Sequence, residues 1–316
     1  MHRRLALPTA LILVLSGCAE HTASFSLPAP DAAPPLHYGI PQPSPNGPVL
    51  TTSDPLKELD ILNPSVIRNA AGYENLYSVF DGTSWRTAKA TSPDGLHWTK
   101  RGIILSPSDP DHYIAANGSA LESRYWYQAN LTRPEIRLAN ETVLRPGPYR
   151  SWDELGVADP YVMKQSGTFY LYYTGLDRAN VQRLGVARSQ DGVHWEKLVS
   201  NPILSPLGRD SIDEAGLGEP AVWQAGGKYW MLFTGRAWDE QRRIGLAESP
   251  DGVSWTRVNN WIFQGSEKWD SKVVCDPSVE VTEDGSIRLW FGGGDIARPD
   301  ERLHGQIGYA FMKAEH

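Results

Sequence analysis

The sequence is poor in cysteine and has no surplus of positive charge. Two cysteines among 316 residues exclude a disulfide-rich scaffold and a zinc or iron–sulfur site built on cysteine. Lys and Arg total 30 against 37 Asp and Glu, so the net charge is −7. The sequence therefore has no excess of positive charge with which to bind the phosphate backbone of a nucleic acid. We therefore expect no nucleic-acid partner.

Helical periodicity is also lacking from about residue 57 onward. Short aromatic and β-branched runs recur there between Gly, Asp and Pro residues, which is typical of β-strands separated by turns. We predict one all-β domain over residues 57–316.

The N-terminus, by contrast with the β domain, contains an apolar run. Residues 1–18 have a basic start and an apolar stretch from Leu5 to Leu15, typical of a secretory signal and too short to span a membrane stably. This N-terminal segment ends in Leu15-Ser16-Gly17-Cys18, which resembles a bacterial lipobox. The resemblance implies a lipid on Cys18 and a protein anchored in the bacterial cell envelope, periplasmic or at the outer membrane. The alternative is an ordinary signal peptide.

A Pro-rich segment follows over residues 19–56. Nine of the 24 prolines fall between Leu27 and Pro55, without apolar periodicity. This composition predicts an extended spacer between the lipid surface and the β domain. With Cys18 acylated, Cys275 has no partner in the chain and is expected to be a buried thiol.

The β domain contains an internal repeat. Its clearest sign is a turn of the form Ser-x-Asp-Gly-x-x-Trp, in which Gly accepts the positive φ of a tight hairpin; the copies are Ser92–Trp98, Ser189–Trp195 and Ser249–Trp255. A second sign is a short polar residue, usually followed by Pro, that opens a strand 42 to 60 residues after the previous one. These openers are Asn63, Asn117, Asp159, Glu219 and Asp276.

Five units of four strands predict a five-bladed β-propeller. In such a blade the start of the inner strand lies on the face opposite the Asp-Gly hairpins, so the openers converge on one mouth. Three of the five are acidic, and they cannot all be ionised at ordinary cost if they lie close together. Two carboxyl groups across a pocket are what glycoside hydrolysis requires, one as acid and one as base or nucleophile.

These residues resemble the five-bladed propeller glycosidases of glycoside hydrolase family 43 and its relatives in families 32, 117 and 130. The resemblance covers nearly all of residues 57–313 and rests on the short motifs Ala158-Asp-Pro160, Gly218-Glu-Pro220 and Cys275-Asp-Pro277 together with the turns. It implies that Glu219 is the general acid and that Asp159 orients and tunes it.

The sequence departs from family 43 at the first opener, where Asn63 replaces the base Asp. A carboxamide cannot serve as base or nucleophile. Three alternatives remain open. Asp60 or Asp276 supplies the carboxylate; or phosphate replaces water, as the Asn of family 130 phosphorylases implies, although Tyr161 stands where that family's phosphate-binding Arg is expected; or the site only binds sugar.

Further side chains are expected on the same face. The substrate-binding candidates are Asn63, Asn117, Trp152, Arg236, Trp238 and Trp269. An Asp also stands six residues before each later opener and is expected to bind loop backbone; these are Asp111, Asp153, Asp213 and Asp270. We expect no required cofactor. A structural cation in the central channel is an open alternative, with His304 as a ligand or as a solvated loop residue.

The sequence therefore predicts an extracytoplasmic glycoside hydrolase with a carbohydrate substrate. Its rivals are a non-catalytic carbohydrate-binding propeller serving polysaccharide export or uptake, a glycoside phosphorylase, and a protein-interaction propeller.

Overall fold

The computed structural model describes residues 21–53, 57–108, 113–130, 132–298 and 301–315. These residues form strands, turns and one 3-10 turn at Lys268–Asp270, and they include no α-helix. Among these residues, no helix has the length and apolar character to cross a membrane.

The strands are grouped in five sheets, as expected for the blades of a propeller. Three two-residue strands come first: β1 (Thr22–Ala23), β2 (His37–Tyr38) and β3 (Gln42–Pro43). Blade one consists of β4 (Asp60–Asn69), β5 (Gly72–Phe80), β6 (Trp85–Ser92) and β7 (Thr99–Leu105). Blade two consists of β8 (Ala115–Leu121), β9 (Arg124–Ala129), β10 (Glu135–Leu138) and β11 (Glu141–Leu144).

The later blades repeat this antiparallel order. Blade three consists of β12 (Gly156–Gln165), β13 (Thr168–Leu176), β14 (Gln182–Ser189) and β15 (Glu196–Leu198). Blade four consists of β16 (Gly216–Ala225), β17 (Lys228–Arg236), β18 (Arg242–Ser249) and β19 (Thr256–Phe263). Blade five has β20 (Val273–Val281), β21 (Ile287–Gly294) and β22 (Gln306–Met312), and β23 (Ala314–Glu315) ends the chain.

The apolar core lies between neighbouring blades. Four of the main clusters join side chains of two adjacent sheets, including one shared by blades five and one. A fifth cluster joins blades five, one and two. Trp126, Trp230 and Trp290 are among the largest fully buried side chains. Most of the tryptophans thus hold the blades together.

Inter-blade hydrogen bonds show that the five sheets close into a ring. An aromatic donor on the second strand of one blade binds the turn glycine carbonyl of the next: Trp126 Nε1 to Gly192 O at 2.9 Å and Tyr172 OH to Gly252 O at 2.8 Å. The same bond joins Trp290 Nε1 of blade five to Gly95 O of blade one at 2.7 Å. The predicted five-bladed β-propeller is confirmed.

The Pro-rich segment is part of the propeller, which corrects the expectation of a free spacer for residues 22–50. β3 pairs with β22 and supplies the outer strand of blade five, while β2 pairs with β23. Leu27, Leu36 and Leu50 are buried, and Tyr38 OH accepts a hydrogen bond from Trp223 Nε1 at 2.8 Å. The segment is extended, but its apolar side chains pack in three core clusters that belong to blades three, four, five and one. The predicted signal and Cys18 lie outside the described residues.

Candidate active site

Each opener stands at a β-bulge in the inner strand of its blade. All five have a positive φ, between 47° and 54°, and the strand pairing shifts register at every one of them. A bulge leaves one residue unpaired and re-aims its side chain. Asn and Asp tolerate the left-handed conformation well, which explains the choice of residue at four of the five openers. Glu219 adopts it as well, and strained backbone of this kind concentrates at functional sites.

The bulges direct the five openers into the centre of the ring. There they separate two cavities, and all five line both. One cavity, of about 330 Å³, opens between the strand ends at the face predicted for the site, and we name it the mouth cavity. The other, of about 260 Å³, continues into the central channel. The predicted convergence of Asn63, Asn117, Asp159, Glu219 and Asp276 is therefore observed.

Hydroxyl groups on the second strands of blades one, three and four hold three of the openers in position. Each accepts a hydrogen bond from the backbone N–H of the opener in the next blade: Asn117 N to Ser78 Oγ at 2.9 Å, Glu219 N to Thr174 Oγ1 at 3.0 Å and Asp276 N to Thr234 Oγ1 at 3.1 Å. These bonds satisfy the donors that the bulges remove from the strand ladder.

The seam between blades five and one replaces this hydroxyl with a carboxylate. Gly292 takes the corresponding place on β21, and a Cβ there would lie 2.9 Å from Asp276 Oδ2. The side chain of Asp276 enters the vacated space, where it accepts hydrogen bonds from Asn63 N at 3.2 Å and Asn63 Nδ2 at 2.6 Å. The Cys275 thiol donates a third at 3.0 Å. Cys275 is buried and unpaired, as expected.

Three carboxyl groups are close enough to influence one another's protonation. Burial and then the negative charge of Glu219 raise the pKa of Asp159 to about 7. Burial, the charge of Glu219 and a hydrogen bond with its carboxyl raise the pKa of Asp276 well above its usual range. Asp276 N also donates to Glu219 Oε2 at 3.1 Å, and Asn117 Nδ2 to Asp159 Oδ1 at 3.4 Å. The trio therefore holds at least one proton near neutral pH.

The mouth cavity also contains polar side chains that the sequence reasoning missed. Gln182 and Arg242 begin the third strands of blades three and four, next to Gly216 and Val273 of the following blades. They occupy the same place in the repeat, so the matching segments Gln182–Gly185 and Arg242–Gly245 were the available signal. Gln128, Tyr113 and Glu301 also line this cavity.

In the described part of the chain, Asp60 lines neither the mouth cavity nor the cavity that continues into the central channel, so the expectation that it could serve as the base is wrong. It is fully buried, and its carboxylate accepts the backbone N–H groups of Arg302 and Gly305, the latter at 2.8 Å. Burial raises the pKa of Asp60 above its usual value. The residue lies three positions before the bulge and fixes the loop that follows β21.

The tryptophan candidates are divided by their packing. Trp152 packs on Tyr173 at 5.5 Å between ring centroids, and Trp269 stacks on Phe291 at 5.8 Å. Neither tryptophan lines a described cavity, so the expectation that a sugar stacks on Trp152 or Trp269 is wrong. Glycines beneath both rings leave room for the indoles in the core between the blades. Arg236 lines the mouth cavity, whereas Trp238 lies outside it and is 63% exposed.

Asp213 and Asp270 accept backbone N–H groups, as expected of the aspartates that precede the openers, whereas Asp153 binds side chains. Asp153 forms a buried ion pair with Lys197 at 2.6 Å, and Asp213 pairs with Arg257. Asp270 accepts the backbone N–H of Glu267 at 2.8 Å. Asp111 lies outside the described residues.

A cation site is poorly supported by the side chains present. Glu219, Cys275 and Asp276 bring one potential ligand atom each within 4.8 Å of one another. Burial and the neighbouring carboxylates raise the pKa of the Cys275 thiol well above its usual value, however, and metals bind the thiolate. His304 is exposed and its Nδ1 lies 2.7 Å from Asp295 Oδ1.

Comparison with known proteins identifies the family. The family described as "Glycosyl hydrolases family 32 N-terminal domain" matches residues 73–275, more than half of the chain. The chain belongs to this family. The expected kinship with the propeller glycosidases is thereby confirmed.

Curated relatives resemble part of the chain. An uncharacterized protein of Mycobacterium tuberculosis (strain CDC 1551 / Oshkosh) is 32% identical over 161 residues, covering 48% of this chain and 52% of that protein. The 1,2-beta-oligomannan phosphorylase of Thermoanaerobacter sp. (strain X514) is 28% identical over 183 residues, covering 52% and 61%. The chain thus spans between half and two thirds of the length of these relatives.

Solved structures share the fold over most of their length. A beta-1,2-mannobiose phosphorylase from Listeria innocua, in complex with beta-1,2-mannobiose, superposes with a TM-score of 0.66 at 12% identity, covering 86% of this chain and 96% of that one. A thermostable family-43 glycoside hydrolase gives 0.57 at 15% identity, covering 81% and 93%. At such identities the likeness concerns the fold.

Proposed function

We propose that this protein is an enzyme that hydrolyses glycosidic bonds of an oligosaccharide or polysaccharide outside the cytoplasm. The observation that carries the proposal is the trio Asp159, Glu219 and Asp276 at one cavity, where burial and mutual repulsion retain a proton near neutral pH. Protonation of the leaving oxygen by a carboxylic acid is the first requirement of glycoside cleavage.

Glu219 is the proton donor in this proposal. Its position in the repeat matches the acid of family 43, and its side chain is one methylene longer than those of its two neighbours. Asp159 is its tuner, since Asn117 holds it and its own pKa depends on the charge of Glu219. The charge of Glu219 also raises the pKa of Asp276, so all three carboxyl groups influence one another.

Asp276 supplies the base that Asn63 cannot provide. In the proposed reactive state Glu219 is the acid and Asp276 is a carboxylate stabilised by three donors from Asn63 and Cys275. This protonation state combines an acid and a base at one cavity. A water molecule between Asp276 and the sugar would then lose its proton to Asp276 while Glu219 protonates the departing oxygen.

Phosphorolysis is the second candidate, favoured by Asn63 and by the phosphorylase among the curated relatives. In that reaction phosphate attacks in place of water, so a carboxylate base is unnecessary. Arg236 and Arg242 of the mouth cavity are the cationic side chains that such an anion would meet. Tyr161, by contrast, stands where the family 130 motif has an Arg.

One experiment separates these reactions. A glycan panel is incubated with wild type and Glu219→Gln, each with and without inorganic phosphate, and the products are identified. Hydrolysis predicts free sugars irrespective of phosphate and a roughly 10²–10⁴-fold slower Glu219→Gln. Sugar phosphates formed only with phosphate would instead support phosphorolysis. Binding without any product would support the non-catalytic alternative, and full activity of Glu219→Gln would falsify the role of Glu219.

The extracytoplasmic location is part of the proposal and is supported by the sequence of residues 1–18. A lipid on Cys18 would hold the propeller at a bacterial membrane. Expression of wild type and Cys18→Ala with a radiolabelled fatty acid tests this directly. The variant should neither incorporate the labelled fatty acid nor be recovered in the membrane fraction.

A further inference from the structure

A third cavity, separate from the mouth cavity, lies beside the β17–β18 loop of blade four. It measures about 380 Å³, and we name it the blade-four cavity. Two tryptophans line it, Trp238 at 63% exposure and Trp261 at 40%. Polar side chains surround them: Asp210, Ser211, Glu214, Asp239, Gln241 and Arg243. Exposed indoles next to several hydrogen-bonding groups are unusual outside a binding site.

The loop between β17 and β18 borders both cavities. Its two ends, Arg236 and Arg242, line the mouth cavity, whereas Trp238 and Gln241 line the blade-four cavity. Two residues of extended chain span at most about 7 Å. The two cavities are therefore adjacent, and a chain molecule leaving the mouth cavity over this loop would reach the indole of Trp238.

The loop is fixed while its indole stays open. Trp238 N donates to Glu214 Oε1 at 3.3 Å, and Arg298 donates to the Trp238 carbonyl. Within the loop, Ala237 N donates to Gln241 O at 3.1 Å. These contacts tether the backbone around Trp238 without covering its ring. A preorganised aromatic surface loses little conformational entropy when a ligand stacks on it.

We propose that the blade-four cavity binds sugar units of a neutral carbohydrate chain whose scissile bond lies in the mouth cavity. The proposal rests on the proposed function and extends it to the substrate class. The apolar face of a sugar ring stacks on indole, and carboxylate and amide groups bind its hydroxyls. Three carboxylates against one guanidinium line the cavity, so an anionic polysaccharide is disfavoured.

Native electrophoresis in gels cast with soluble polysaccharides tests this inference. Yeast mannan, arabinoxylan and mixed-linkage β-glucan are the neutral probes, and polygalacturonate is the anionic one. The host is Glu219→Gln, which keeps the probe intact. We expect a neutral probe to retard this host, and the double variant Trp238→Ala/Trp261→Ala to bind it about tenfold more weakly. Trp238→Phe/Trp261→Phe should retain much of the retardation.

Phe311→Ala is the matched control, because Phe311 is an aromatic residue of similar exposure, 37%, on blade five. Its retardation should equal that of the host, and thermal melting checks that every variant is folded. Retardation that is unchanged in the double alanine variant overturns the inference, as does the absence of retardation by every probe. A change in sedimentation between host and double variant would overturn it too, since the tryptophans would then join two copies of the chain.

The outcomes separate this inference from the proposed function. Loss of retardation in the tryptophan variants, together with full turnover by Glu219→Gln, supports the sugar site and contradicts the catalytic assignment. Turnover that depends on Glu219, together with retardation that is unchanged in the tryptophan variants, supports the catalytic assignment and contradicts the sugar site.

Discussion

Asn63 and Asp276 lie 213 positions apart in the sequence, and the Nδ2 atom of Asn63 donates a hydrogen bond to Asp276 Oδ1 at 2.6 Å. This contact joins the first blade to the last and lies at the centre of the candidate site. In the proposed mechanism, the carboxylate that Asn63 lacks is supplied by this neighbouring blade.

Replacing this amide by an acid tests the pairing. Asn63→Asp sets two carboxyl groups against each other, so the pair must keep a proton and the folded state binds more protons than the unfolded state. Stability should then fall as pH rises, by about 1–3 kcal/mol relative to wild type at pH 8 and by less at pH 5, in denaturant titrations.

Asn69→Asp is the control for that variant, since Asn69 is exposed at a hairpin and should change stability by less than about 0.5 kcal/mol at either pH. Faster hydrolysis by Asn63→Asp would contradict the base role of Asp276, because position 63 would then be the better place for the base.

The raised pKa of Asp159 predicts a pH dependence of folding. Between its ordinary value near 4 and its folded value of about 7, the folded state binds more protons, so stability decreases as pH rises through this window. Asp159→Asn removes this contribution. Thermal midpoints measured from pH 4 to pH 8 should therefore decline less in the variant than in wild type.

Asp284 offers a control of opposite sign. Hydrogen bonds from Thr282 and Ser286 lower the pKa of Asp284. The contribution of Asp284 to folding stability is therefore present at neutral pH and is lost as the pH falls below the ordinary pKa of an aspartate. Equal slopes for wild type and Asp159→Asn would show that Asp159 keeps its usual pKa in the folded protein.

Cys275 is predicted to act through Asp276. Its S–H group donates to Asp276 Oδ2 at 3.0 Å, which favours the charged carboxylate. Cys275→Ala should raise the pKa of Asp276 further and move the limb of the kcat/KM profile that depends on it to higher pH. Cys275→Ser retains a donor and should stay near the wild-type profile. Coincident profiles for all three proteins would leave the thiol with a packing role alone.

The N-terminal segment is predicted to contribute to stability. Leu36 is 4% exposed and packs in the core between blades four and five, so Leu36→Ala should cost about 2–5 kcal/mol of unfolding free energy. Ile40, four residues later, is 63% exposed, and Ile40→Ala should cost less than about 0.5 kcal/mol. Equal stabilities of the two variants would mean that the segment does not pack on the propeller in solution.

The ring of openers was predictable because its signals are local. A short polar residue before Pro, repeated at blade intervals, marks the bulge that turns a side chain inward, and the turn motif sets the direction of each strand. Glu219 and Asp159 needed no long-range information. The repeat itself placed them on neighbouring inner strands.

The remainder depended on contacts between distant residues. The pairing of Gln42 with Phe311 joins the two ends of the chain, and no local pattern in a Pro-rich segment announces a strand partner. Asp60 was misplaced because its carboxylate binds the backbone of Arg302 and Gly305, which are 242 and 245 positions away in the sequence. Trp152 was assigned to the site by its loop, although two glycines on the adjacent strands make room for its ring in the core.

The docking of β1 on blade three limits how far the propeller can stand from any attachment at Cys18. Thr22 pairs with Lys197, so three residues of chain lie between that cysteine and the outer edge of the blade. The four steps from Cys18 to Thr22 reach at most about 14 Å even when fully stretched. A lipid at this position would therefore hold the propeller close to the bilayer with blade three nearest to it, and the proposed glycan substrate would have to enter from the side that the membrane leaves open.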